Sequence, residues 1–177
     1  MDYDKTAGGV LMPANVLGAH GHYTGQIIRD GRVIDEWGFD NLVVNEGLNY
    51  LNDVMFFAVA ATTTWYLGVF EGNYTPVSTV TAATITAAST ESTAYSETTR
   101  QAFTTIASAA QVTTNAAARA TFTFNATKTI YGAFLASASA KSATTGKLFS
   151  AAQFAASKAV VSGDQLLLTY TFTSSSI

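Results

Sequence analysis

Two β-rich runs meet at Asp30-Gly31, within Tyr23-Thr-Gly-Gln-Ile-Ile-Arg-Asp-Gly-Arg-Val-Ile-Asp-Glu-Trp37, and no other short stretch restricts the fold as much. An Asp-Gly pair between such runs is the strongest local signal for a tight β-hairpin. Glycine adopts positive φ without a steric penalty and aspartate tolerates it, so turn and register are both specified locally. A hairpin with one apolar face needs further sheet to cover that face.

The remaining sequence supplies it. Thr63 to Phe70 is rich in aromatic and β-branched residues and ends at Glu71-Gly-Asn73. Arg100-Gln-Ala-Phe103 opens a further strand, and aromatics alternate with threonine in Ala120-Thr-Phe-Thr-Phe124. Thr129-Ile-Tyr-Gly-Ala-Phe-Leu135 carries bulk on both faces, as a central strand between two sheets would. Ser142 to Gly146 is a polar tip before Lys147-Leu-Phe149, and Gly163-Asp164 introduces a last strand with Leu166, Leu168, Tyr170 and Phe172 on one face. Seven or eight short strands separated by polar turns predict an all-β domain, a β-sandwich or jelly roll.

One helix interrupts this pattern, over about 45–57. Asn45 is suited to the N-cap, Glu46 to the positive end of the dipole, and Leu48, Leu51 and Met55, with Val54 beside them, to an apolar face. Gly47 weakens such a helix by about 1 kcal/mol relative to Ala. Residues 1–22, with four Gly and a Pro, read as an extended arm on a single body, residues 23–177. Residues 75–99, mostly Thr, Ala and Ser, read as a long surface connection with weak strands, and Ser174 to Ser176 as a frayed end.

Composition narrows function by exclusion. Ala, Thr and Ser account for 71 of 177 residues, yet 48% hydrophobic residues and 21 aromatics argue for a packed core rather than disorder. The net charge of −3 without a basic stripe argues against nucleic acid as a partner. Without cysteine there is no disulfide scaffold, thiolate nucleophile or zinc–thiolate site. Met-Asp-Tyr-Asp-Lys5 lacks the basic and apolar regions of a secretory signal. The most apolar window, Val54 to Ala61, is far short of the about 20 residues needed to span a bilayer. The expectation is a protein made in the cytoplasm with no membrane partner.

His20-Gly-His22 places two imidazoles on one side of an extended segment, a spacing that can chelate a metal if Asp35, Glu36 or Asp40 adds a third ligand. Two exposed polar residues closing an arm is the simpler reading, so no metal or cofactor is expected. Asp35 and Glu36 point to opposite faces of a strand and cannot form a glycosidase pair. There is no Gly-x-Ser-x-Gly elbow, and Gly8-Gly9 lacks the preceding strand and lysine of a phosphate loop. Trp37 and Trp65, with Tyr66 and Tyr74, could stack on sugar rings but are better suited to core or interface. Residues 1–54 carry a net −5 and residues 55–177 a net +2, an asymmetry suited to contact between subunits.

Three stretches are similar to a known family. Trp37-Gly-Phe-Asp-Asn-Leu-Val-Val-Asn-Glu-Gly-Leu-Asn-Tyr-Leu51 resembles the Asn-Leu-Val-x-Asn-x-Gly-Leu segment of many tailed-bacteriophage virion proteins, and Trp65 to Pro76 resembles the segment that follows it there. The third is Thr129 to Leu135, continuing through Gly146 to Ser150 and Gly163 to Phe172. The shared residues are turn glycines, a cap and core aromatics. The resemblance therefore implies a non-enzymatic virion component of the capsid decoration or cement kind, with neck or tail positions as relatives.

Such a protein would bind the major capsid protein and itself, most simply as a homotrimer on a three-fold site. The arm, the hairpin from Gln26 to Trp37 and residues 75–99 are the expected contact surfaces, with His20, His22, Arg29, Arg32, Trp37 and Tyr74 as interface candidates. Deleting residues 1–20 should then leave a folded body that no longer holds its particle. A tail- or fibre-associated module binding a host surface glycan is the alternative, and a metal-dependent hydrolase using His20 and His22 a third reading.

Overall fold

A computed structural model describes residues 3–5, 11–13 and 17–176. Two short strands, β1 (Tyr3–Lys5) and β2 (Leu11–Pro13), pair with each other. The long strands β3 (Leu17–Arg29) and β4 (Arg32–Val43) follow, then α1 (Asn45–Phe56), β5 (Tyr66–Phe70) and α2 (Ala82–Ser89). The chain continues through β6 (Gln101–Ala102), β7 (Val112–Thr114), β8 (Ala120–Thr123), β9 (Lys128–Ala136), β10 (Leu148–Val160) and β11 (Gln165–Ser176).

Nine strands form one antiparallel sheet in the order β6-β5-β9-β10-β4-β3-β11-β7, with β8 beside β7 on the same edge of β11. The sheet curls where β10 joins β4 through only Ser150–Val43 and Ala151–Leu42, so its halves face each other like a sandwich. Residues 89–96 bridge the far edges. Their Ser92 amide donates to Val69 of β5 and their Ser96 amide to Thr123 of β8, both at 2.8 Å. The all-β expectation holds.

The hairpin turns at Asp30 and Gly31, with φ of 52° and 74°. Both positive values make the primed turn that matches strand twist. Its register contains one device beyond the turn: Ile27 faces Asp35 while Ile28 faces Val33, leaving Ile34 as an extra residue. Without this bulge, alternation from Phe39 through Trp37 and Asp35 would send Val33 to the core face. With it, Val33 and Ile34 both stand in solvent.

Between the two halves lies the main core, built on Tyr23, Phe39, Phe122, Phe154, Leu168 and Tyr170. Tyr23 stacks on Phe39 with centroids 5.3 Å apart and meets Tyr170 at 4.6 Å. A second cluster of Val44, Phe70, Val80, Ile85, Phe134 and Leu148 lies on the other face of β5, β9 and β10. Strand β9 is thus buried on both faces, as its sequence implies, but α2 and its flanks cover the second face rather than another sheet.

Burial pushes the Tyr23 and Tyr95 phenols above their ordinary value of 10 and Tyr170 up to about 12. The unfolded chain therefore loses these protons near pH 10 while the folded chain keeps them, so stability falls as pH rises between those values. Alkaline titration is expected to show a fraction of tyrosinate absorbance appearing only together with unfolding. Simple titration of all eight tyrosines near pH 10 with the sheet intact would contradict this.

Five sequence expectations change. Residues 17–22 belong to β3, paired along β11 from Ser176–Leu17 onward, so the arm ends earlier and Ser174 to Ser176 are laddered rather than frayed. A truncation that tests the arm must stop before Leu17. The expected arm positions 1, 2, 6–10 and 14–16 lie outside the described residues, Gly8-Gly9 included.

Residues 75–99 are not an open loop: they carry α2, whose Thr81 and Thr84 form a capping box, and they bury Val80, Ile85, Ser89, Ser92 and Tyr95. Asn45 does not cap α1, since Val44 occupies that position and the Asn45 amide donates to Ser78. The packed face of α1 is Gly47 and Tyr50, with Leu51 and Val54 half-buried, leaving Leu48 and Met55 exposed.

Candidate functional site

Among the described residues, one ion pair is buried on both sides. Arg100 donates to both Glu91 oxygens, at 2.8 and 2.7 Å, with each side chain 1% exposed. Its remaining donors reach the carbonyls of Ala138 and Ala143, and the Ser142 amide donates to Glu91. The guanidinium also lies 5.0 Å from the Phe134 ring. Every charged atom is thereby satisfied, and the pair pins the 137–146 loop to the bridging segment. Lys141 adds a second tie, donating to the Tyr95 carbonyl at 2.7 Å while resting over the Tyr95 ring. This geometry presents no free acid, base or nucleophile to a substrate, and its role is to hold the bridge closed.

The six sequence candidates are dispersed. His20 and His22 project from the outer face of β3, and His22 Nδ1 pairs with Asp40 at 2.7 Å. Asp35 is drawn away to Lys158, 2.9 Å distant, and no group of three metal-ligating residues occurs among the described residues. Arg29 is tied down while still 40% exposed: it grips Asp164 bidentately, at 2.8 and 2.7 Å. Those bonds hold the Asp164 carboxyl below the usual carboxylate range, so this brace is complete above about pH 3.8 and is lost as pH falls through the lowered value. Arg32 is exposed at the hairpin tip.

Trp37 is a core anchor. It lies across Gly25 of β3, meets Phe154 at 5.4 Å and carries Lys158 Nζ 4.4 Å from its ring centre. Tyr74 is half-buried against the second cluster rather than open to a ligand. The structure brings none of the six together except through the shared hairpin.

Among the described residues, neighbouring exposed apolar side chains gather in two places. One is the hairpin tip with Val33 and Ile34, braced from below by Arg29–Asp164 and from the side by Asp35–Lys158. The other is the C-terminal end of α1, where Met55, Phe56 and Phe57 are 71%, 83% and 78% exposed. This knob is held rigidly. The amides of Phe57 and Val59 both close on the Asp53 carbonyl, with Ala58 in the left-handed region at φ 56°. Tyr50 then straps the returning chain by donating to Thr62 Oγ1 at 2.9 Å.

Behind that strap opens a pocket of about 360 Å³ at the end of the curled sheet, lined among others by Trp65, Phe103, Thr105, Thr113, Phe149 and Phe172. Trp65 is edge-on to both Tyr50 and Phe149.

Sequence reasoning noticed the Val54–Ala61 window only as too short for a membrane. Its usable signal was an apolar run that outlasts the helical period and has no polar side. No helix among the described residues is long and apolar enough to cross a membrane. Comparison of the chain with family models and with curated proteins finds no match.

Proposed function

We propose that the protein is a non-enzymatic structural component of a tailed-phage virion, a decoration or cement protein that binds and stabilises the major capsid lattice. The observation that carries this reading is the hairpin tip. A bulge turns Val33 and Ile34 into solvent, and two ion pairs hold the strands that bear them. Apolar side chains on a braced scaffold lose little freedom on docking, which favours a lasting contact over a passing one. The outer edge of β4 from Arg32 to Asn41 has no ladder partner among the described residues, so an extended capsid segment could add there as a strand. The resemblance of residues 37–76 and 129–172 to phage virion proteins points the same way.

The glycan-binding alternative needs Trp65, Tyr66 or Tyr74 open in a groove. All three are half-buried; Trp65 does line the aromatic pocket, but edge-on between Tyr50 and Phe149 and with only threonine hydroxyls beside it, so this reading ranks second.

Copy number tests the proposal first, by quantitative mass spectrometry of purified particles against the major capsid protein. A simple ratio to the capsid subunit is expected; a few copies would move the protein to the neck or tail, and absence would overturn the virion reading. Val33→Asp with Ile34→Asp is then expected to abolish rebinding to stripped particles while leaving thermal unfolding within a few degrees of the parent. Undiminished rebinding by the double variant would remove the hairpin from the interface.

A further inference from the structure

The knob on α1 and the pocket behind it are complementary surfaces with no use for each other inside one chain. We propose that a second copy of this chain is the occupant: the Phe56–Phe57 knob of one copy seats in the aromatic pocket of the next, head to tail. The inference goes beyond the capsid reading and does not depend on it, since it concerns the purified protein alone.

Three observations carry it. First, the wet apolar surface reaches the size of patches that are often functional. The two phenylalanine rings alone leave roughly 300 Å² in water, with Met55, Leu48 and Val59 adding to the same patch. The largest apolar patch of a typical monomer is itself about 300–600 Å² and is often functional. The backbone that carries the rings is also pre-set, because the Asp53 carbonyl cap and the Tyr50–Thr62 strap hold it on both sides. A knob fixed before contact loses less entropy on binding.

Second, the pocket has the right size and chemistry. An apolar cavity of about 150 Å³ already admits benzene, so about 360 Å³ has room for a phenyl side chain and more. Its walls are aromatic, with threonine hydroxyls at Thr62, Thr63, Thr105 and Thr113. Neither the walls nor residues 54–65 contain a charged side chain. Two uncharged apolar surfaces suit the charge-depleted centre of a protein interface, and they offer nothing for a phosphate, a carboxylate or a basic peptide to recognise.

Third, the knob cannot fill its own pocket. Phe56 and Phe57 are exposed while Tyr50 and Thr62, bonded to each other, form the wall between them and the cavity. Reaching inward would require the helix cap and the strap both to open. In a neighbouring copy the same rings meet no such barrier. Each copy would then give one knob and receive one, with Ile106 beside Thr105 on the pocket rim adding exposed apolar area. A stable interface takes about 800 Å² from each partner, so the knob must be met by surface around the pocket as well as inside it, and Ile106 on the rim is 80% exposed. Such a heterologous contact closes into a ring when its rotation allows.

Sedimentation equilibrium of the purified full chain tests this with two variants. Phe56→Ser with Phe57→Ser removes the knob, and Thr105→Trp, at an exposed loop position, fills the pocket. The parent is expected to form a discrete oligomer, and each variant alone to weaken self-association by about 100-fold or more. Mixed in equal amounts, the two variants are expected to form a heterodimer and nothing larger, because one intact knob meets one intact pocket. Near-ultraviolet circular dichroism checks that both variants keep the parent's packing.

A monomeric parent would overturn the proposal, as would persistent association of the knob variant. Continued assembly by Thr105→Trp alone would indicate knob-to-knob contact and overturn it as well. A mixture that stays monomeric has the same consequence. Self-association by the Val33→Asp, Ile34→Asp protein is expected to match the parent, which separates this surface from the hairpin.

Discussion

Replacing Glu91 with alanine is expected to cost about 3–5 kcal/mol of folding stability, because it strands a buried arginine without its counter-charge. Arg100 is 1% exposed and has both long edges of its guanidinium on Glu91. Water cannot replace the lost carboxylate without opening the loop that Ala138 and Ala143 anchor. For a chain of this size each kcal/mol moves the thermal midpoint by about 2–4 °C. The midpoint should therefore fall by roughly 6–20 °C.

The double variant Glu91→Leu, Arg100→Met is expected to be clearly more stable than either single one, since it removes both charges together. Urea unfolding of all four proteins measures the coupling. A Glu91→Ala protein no weaker than a surface variant would mean that the bridge between β5 and β8 does not rest on this pair.

Gly47→Ala is expected to destabilise by about 1–3 kcal/mol, the cost of overpacking a closed contact. Helix propensity alone forecasts the opposite sign, a gain of about 1 kcal/mol. A Cβ at this position would lie 2.9 Å from the Phe149 Cα and nearer still to its carbonyl oxygen. The same carbonyl accepts the Val44 amide at 3.1 Å, so α1 has no room to lift without losing the bond that starts it. Asn49, exposed on the same helix, is the control: Asn49→Ala should follow propensity and stabilise by some tenths of a kcal/mol. If both substitutions stabilised, close packing of α1 on β10 would be wrong.

Gly47 also marks where the sequence ceased to be legible. The Asp-Gly turn, the alternating Leu166–Phe172 face and the doubly buried β9 could all be read, because each is written in large residues at a strand's own period. Helix α1 was placed within one residue, but its packed face was assigned by size. The helix instead docks through its smallest residue, turning Leu48 and Met55 outward. Helix α2 left no apolar stripe at all, since its inward positions are Ala82, Ile85 and Ser89. The Glu91–Arg100 pair could not be foreseen, because its value depends on Ala138, Ser142 and Ala143 arriving from another part of the chain. The knob was visible as composition and missed as surface: whether Phe56 and Phe57 are covered is a tertiary fact.

The position of β11 sets the order in which this molecule can form during synthesis. That strand joins β3 to β7 and β8, and Arg29 waits across 135 residues for Asp164. Until β11 has been made, Tyr23 and Phe122 lack the Leu166, Leu168 and Tyr170 side chains of the same core. Pairings this distant in sequence make for slow collapse, on the order of milliseconds to seconds. A nascent chain therefore lacks a closed core until β11 has been made, which places closure of the whole sheet at one late step.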